Sequence, residues 1–249
     1  MVDSERSYFR LVVFRYREPM LGSLHMGWRH VLFANWPVDP AVVEPHLPEA
    51  LTLETHDGRA WLSVVPFTNV DVRPRMLPSG AGIPLPELNL RTYVSHDGAP
   101  GVYFFSLDAD GLLAVLGARL FHYLPYYYAK IDLRTTNGRV RFTNRRRHPG
   151  ARPVQFDATY GPVGDRYSAE PGTLAAFLTA RYRYYTEAPD GTLRYATIDH
   201  EPWPLYDAAV EIETNTLFRA NGFSTPESDP VHFYSPGVET IASGNKRTK

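Results

Sequence analysis

Polar and apolar residues alternate with a period of two along most of this chain, the pattern of strands that hold one face against a core. Aromatic and β-branched residues concentrate in Trp28–Val38, Arg59–Phe67, Glu87–Ser95, Val102–Leu107 and Tyr127–Thr135. The same holds for Arg139–Thr143, Val154–Tyr160, Thr192–His200, Ala208–Thr214 and Val231–Tyr234. Pairs suited to positive φ interrupt these runs, at Asp57-Gly58, Asp97-Gly98, Asn137-Gly138 and Asp190-Gly191. Asn137-Gly138, between two alternating runs, predicts a two-residue hairpin.

Three stretches change period. Asp39 offers a helix cap before Pro40, and Pro48 ends that short helix. Asp110 precedes Gly111–Tyr123, where Leu112, Val115, Leu116 and Leu120 fall on one helical face. Pro171 opens a third helix carrying Leu174, Phe177, Leu178 and Tyr182. Many antiparallel strands with about three short helices predict an α+β, mostly β fold whose sheet is closed or nearly so. Without an internal repeat or linker, a chain of 249 residues and 43% apolar content reads as one domain. Its expected bounds are 27–235, with an N-terminal extension at 1–26 and a polar C-terminal tail at 236–249.

Composition narrows the function. Twenty-six basic and 27 acidic residues nearly cancel, so no electrostatic case for nucleic acid exists. Arg145-Arg146-Arg147 reads as a solvated loop. The absence of cysteine excludes disulfides and thiolate chemistry. No window reaches the eighteen or so apolar residues of a transmembrane segment. Met1–Met20 has arginines but no apolar signal core, so a cytoplasmic protein is the expectation. The nine histidines show no metal-ligand spacing, and in Asp199-His200-Glu201 neighbouring side chains face opposite ways on a strand. No cofactor or metal is therefore expected, and homo-oligomer formation is left open.

Two stretches hold candidate chemistry. Lys130 is the one lysine before residue 246, and it ends the aromatic run Tyr126-Tyr127-Tyr128-Ala129. A desolvated amine is a nucleophile for carbonyls, so Lys130 invites comparison with Schiff-base lysines. In Pro86–Val94, alternation puts Glu87, Asn89, Arg91 and Tyr93 on one face and Leu88, Leu90, Thr92 and Val94 on the other. Periodicity leaves open whether the polar face meets water or lines a pocket.

Several motifs together resemble a known family. They are Trp28-Arg29-His30, Asn35-Trp36-Pro37-Val38, Leu47-Pro48-Glu49-Ala50-Leu51, Asp57-Gly58-Arg59-Ala60-Trp61, Pro86–Val94, Gly101–Leu107, Leu124-Pro125-Tyr126 and His200-Glu201-Pro202-Trp203-Pro204-Leu205. From about Trp28 to Tyr234 the chain is similar to the YqjF-like, or DUF2071, family. That family is similar in turn to the acetoacetate decarboxylase superfamily, which implies an antiparallel, cone-like β-barrel with an internal pocket. The resemblance puts the decarboxylases' pocket glutamate on Glu87. It puts their lysine pair, directly after a proline, on Tyr126 and Tyr127, and their active-site arginine near Pro37. A phenol supplies neither the amine nor the neighbouring charge that activates it. Lys130, four residues on, is displaced by about 13 Å along a strand and reads as a rim lysine.

Three functional readings follow. The first is a barrel binding a small carboxylate- or carbonyl-bearing molecule through Glu87, Asn89, Arg91, Tyr126 and Tyr127. The second is a lyase, hydratase or enolising enzyme that works without a Schiff base and uses Glu87 as general acid/base. The third is a non-catalytic interaction protein whose partner surface is the arginine-rich N-terminus.

Overall fold

The computed structural model describes residues 23–248. The chain runs β1 (Leu24–Val38), α1 (Pro40–Val43), β2 (Thr52–Leu53), β3 (Ala60–Pro74), β4 (Ile83–His96) and β5 (Ala99–Ala109). It continues with α2 (Leu112–His122), β6 (Tyr126–Thr136), β7 (Arg139–Arg146), β8 (Gln155–Tyr167) and α3 (Leu174–Thr179). The last elements are β9 (Arg183–Glu187), β10 (Leu193–His200), β11 (Leu205–Asn215), α4 (Leu217–Ala220), β12 (Val231–Ala242) and β13 (Lys246–Arg247). The fold is thus mostly β, with four short α-helices among the described residues.

All the strands belong to one sheet, and its pairings return on themselves twice. One circuit runs β5-β6-β7-β8-β11-β12-β1-β3-β4 and back to β5; the other runs β5-β9-β10-β12-β1-β3-β4 and back to β5. The two share β12, β1, β3, β4 and β5. Two pairings depart from the expected antiparallel pattern: β5 runs parallel to β6 and to β9. For β6 the physical reason is the connection, since α2 carries the chain from the end of β5 to the start of β6.

Local chemistry accounts for the turns. Asn137 and Gly138 have φ of 50° and 76°, and Asp97 and Gly98 have 49° and 73°, the double positive φ of two-residue hairpins. Asp39 caps α1 by accepting from the Ala41 amide at 2.9 Å. Two helices differ from expectation. Thr173 caps α3, which ends at Thr179, so Tyr182 lies beyond it. Gly111 starts α2 without a side-chain cap, while Asp110 accepts from Lys130 Nζ at 3.2 Å. Leu112, Leu116 and Leu120 are exposed on α2, and Val115 is buried.

The shared strands lie between two cores. Leu88 and Leu90 of β4 pack with Trp36, Phe142, Phe156 and Tyr160 in one. Tyr93 packs with Phe33, Phe67 and Trp203 in the other. Both faces of β4 are therefore covered, and burying each leucine contributes about 1.5–3 kcal/mol.

The sheet extends past the expected domain bounds at both ends. Leu24, His25 and Met26 pair with Ala242, Ile241 and Thr240, so residues 24–26 and 236–242 are strand rather than extension and tail. Residues 1–22 and Lys249, which hold the arginine-rich segment, lie outside the described residues. The arginine cluster is also corrected. Arg146 is buried and donates to Asp108 at 2.7 Å, and Arg145 pairs with Asp157 at 2.7 Å. Val154 and the fully buried Asp108 draw this stretch into the sheet rather than into water. No helix among the described residues is long and apolar enough to cross a membrane.

Candidate functional site

Inside the smaller circuit lies a cavity of about 620 Å³, with lining from each of its seven strands. Strand β4 presents Leu85, Glu87, Asn89 and Arg91 to it in unbroken alternation. The polar face left open by the sequence therefore turns inward. Neighbouring strands reach the cavity by breaking alternation. On β1, Leu24, Met26 and Trp28 face in, then Val31 and Phe33. His30, with φ of 55°, absorbs the change of parity. On β3, Phe67 and Asn69 give way to Val72 and Pro74 across Asp71, whose φ is 53°.

Glu87 is the centre of the polar wall. Its Oε2 accepts from the Tyr126 phenol at 2.7 Å and from Asn69 Nδ2 at 3.5 Å, and its Oε1 accepts from Asn89 Nδ2 at 3.3 Å. Only 5% of the residue is exposed, and desolvation pushes its pKa up to about 7, against the opposing pull of these hydrogen bonds. Burial and the neighbouring carboxyl push the Tyr126 phenol well above its ordinary range, so it remains a proton donor at neutral pH. A carboxyl poised near neutrality beside a fixed phenol can take or give a proton.

Arg91 marks one end. Its Nη2 donates to the Leu178 carbonyl at 3.3 Å, and the guanidinium lies over the Phe33 and Tyr93 rings, at 5.5 and 5.8 Å. Among the described residues Arg91 has no ion-pair partner, whereas Arg181 beside it is held by Glu54 at 2.8 Å. Arg183 also lines this end and stacks on Tyr195. The end is therefore cationic and suited to an anion.

Four of the five residues expected at the site, Glu87, Asn89, Arg91 and Tyr126, converge on the cavity. Tyr127 does not. Its neighbour Tyr126 takes the inward face of β6, so strand geometry turns Tyr127 outward, beneath Arg146 at 4.0 Å and against His148. Lys130 stands apart as well, 71% exposed and paired with Asp110. Among the described residues, no lysine lines the cavity. From α2, His122 reaches it and meets the Tyr184 phenol at 2.8 Å, while Arg119 donates instead to the Tyr126 carbonyl.

Sequence reasoning missed that Arg181, Arg183, Tyr184, Trp28 and Trp203 line the cavity. The signal was the alternation of arginine and aromatic residues in Arg181-Tyr182-Arg183-Tyr184-Tyr185, which marks β9. Trp28 and Trp203 stack at 5.6 Å and form a cavity wall. Among the described residues no three His, Cys, Asp or Glu side chains group to hold a metal.

Residues 25–239 match the model of DUF2071, described as "Uncharacterized conserved protein". The chain belongs to the DUF2071 family. This DUF2071 protein is 44% identical over 219 residues to "Uncharacterized protein YqjF" of Bacillus subtilis (strain 168), covering 88% of this chain and 89% of that one. Its fold is similar to that of the enduracididine biosynthesis enzyme MppR complexed with pyruvate. That match has a TM-score of 0.61 at 14% identity and covers 90% of each chain. It is also similar to an acetoacetate decarboxylase-like enzyme from Sphingomonas wittichii RW1. There the TM-score is 0.61 at 16% identity, over 94% of this chain and 98% of the other. These likenesses bear on the fold of the DUF2071 protein, and its chemistry has to be argued from its own cavity.

Proposed function

We propose that the seven-strand circuit is a cone-like barrel that binds a small carboxylate- or carbonyl-bearing molecule. Arg91 anchors the acid group, and Glu87 with Tyr126 faces the carbonyl. The observation that carries this reading is the convergence, in one largely apolar cavity, of an unpaired guanidinium with a buried carboxyl hydrogen-bonded to a phenol. Arg91 is partly buried and its Nε has no hydrogen-bond partner among the described residues, and a ligand carboxylate would supply one. The pyruvate bound by MppR lends the same ligand class by analogy of fold.

A second reading has its own support. Glu87, with its pKa near 7, suits general acid/base work, which favours a lyase, hydratase or enolising enzyme. Tyr126 would polarise the carbonyl while Glu87 moves a proton at the adjacent carbon. The Schiff-base route is not part of the proposal, because a tyrosine faces Glu87 where the resemblance places the lysine.

Thermal-shift screening of carboxylates and carbonyl compounds tests the binding reading. A hit should lose about tenfold or more in affinity in Arg91→Leu, and its pH dependence near 7 should vanish in Glu87→Gln. Hits that bind both variants as well as the native protein would remove the assignment. The enzyme reading predicts turnover that depends on Glu87 with an apparent pKa near 7.

A further inference from the structure

Arg91 and Glu87 are four residues apart on an unbroken strand, about 13 Å between Cα atoms at ~3.3 Å per residue. Among the described residues their side chains share no hydrogen bond or ion pair. The Arg91 guanidinium leans toward the Leu178 carbonyl and over Phe33 and Tyr93, at the end where Arg181 and Thr179 also line the cavity. Glu87 is held instead by Asn69, Asn89 and Tyr126. A three-carbon oxo acid carries its carbonyl one bond from its carboxylate, a short reach against a Cα separation of about 13 Å.

The cavity also continues past Glu87. Leu85 follows two residues on, about 7 Å further, and the register brings Asn69 opposite it with Val72 and Pro74 just beyond. Leu24, paired with Pro74, and the largely exposed Met76 complete an apolar far end. Here α2 contributes Gly117 and Ala118, small residues that leave room. The total of about 620 Å³ falls within the roughly 300–1,000 Å³ that encloses drug-sized ligands.

We propose that this cavity takes an elongated amphipathic monocarboxylate. Its carboxylate sits on Arg91, a carbonyl or hydroxyl several atoms along faces Glu87 and Tyr126, and its apolar end lies among Leu85, Val72, Leu24 and Met76. The inference rests on the carboxylate reading above and specifies its ligand. One acid group is specified, because Arg181 is already neutralised by Glu54, Arg183 is turned onto the Tyr195 ring and the far end offers no charge.

Isothermal titration of the full-length protein with pyruvate, hexanoate, decanoate and 1-decanol tests it. Affinity should climb about fourfold per added CH₂, or about 250-fold from hexanoate to decanoate. Decanoate should bind at least about tenfold more tightly than 1-decanol, and Arg91→Leu should erase that difference. Leu85→Asp should pull the decanoate-to-hexanoate ratio toward one. The chain-length slope is measured on the native protein, so it stands whether or not the variants fold. Decanoate binding no tighter than hexanoate, or not binding at all, overturns the inference. In that case Arg91-dependent pyruvate binding would leave the carboxylate reading standing. If no acid, short or long, depends on Arg91, that reading fails too.

Discussion

Replacing Glu87 by glutamine isolates the one ionisation that this site has moved furthest toward neutrality. The carboxyl has an ordinary value of 4.5, and burial lifts it to about 7 in the folded protein. Between these values the folded state holds a proton that the unfolded chain has released, so folding stability falls as pH rises. The stabilising contribution is fully present below about 4.5 and is lost once pH passes about 7. At about 1.4 kcal/mol per pH unit across that window, the native protein loses about 3 kcal/mol that Glu87→Gln retains. Glutamine keeps an oxygen to accept from Tyr126, while its amide confronts Asn89 and adds an offset that does not depend on pH. The informative quantity is therefore the pH dependence of the difference between the two proteins. Urea unfolding of both at intervals from pH 4 to 9 measures it. The difference should change by about 3 kcal/mol between pH 4 and 8 and be level beyond. A difference constant within about 0.5 kcal/mol across that range would refute the argument that burial holds this carboxyl near neutrality.

Removing the phenol in Tyr126→Phe takes away a 2.7 Å hydrogen bond that favours the charged carboxyl. The same unfolding profile should then show the Glu87 midpoint moving above 7. Arg146→Met should destabilise the fold by about 3–5 kcal/mol in urea, because it leaves the fully buried Asp108 without its guanidinium. Gly237→Ala should be more damaging than its size suggests. A Cβ there would lie 1.8 Å from the Trp28 carbonyl at a φ of 129°, and a loss of about 3 kcal/mol or more should be visible in the denaturation midpoint.

The hairpins were the most legible part of the fold, because Asn-Gly and Asp-Gly pairs demand a backbone that few other residues adopt. The ten runs read as strands all lie wholly or largely in the sheet. Three strands were not readable. β2 and β13 are two residues long, and β9 begins in a stretch whose Leu174, Phe177, Leu178 and Tyr182 match a helical period. The exposed leucines of α2 misled in a related way. An apolar stripe predicts a buried face, yet here the helix turns Val115, Gly117 and Ala118 toward the protein and leaves Leu112, Leu116 and Leu120 in water. Likewise, three arginines in a row look solvated until a distant aspartate, Asp108, is placed beneath one of them.

The site was legible only along β4, for a physical reason. Alternation there is unbroken from Leu85 to Arg91, so one parity assignment serves for Glu87, Asn89 and Arg91 together. β1 and β3 reach the same cavity through residues at positive φ, His30 and Asp71, which swap the faces midway. Strict alternation would have turned either Trp28 or Phe33 outward, and either Phe67 or Val72. Even on β4, alternation could not say that the polar face was the enclosed one. That depends on Leu88 and Leu90 being claimed by the core on the other side, against Phe142 and Phe156 from β7 and β8. With the leucines buried there, the polar face turns into the smaller circuit, whose cavity β9, β10 and Trp203 also line. Glu87 is therefore displaced toward neutrality by strands more than 50 residues away in sequence.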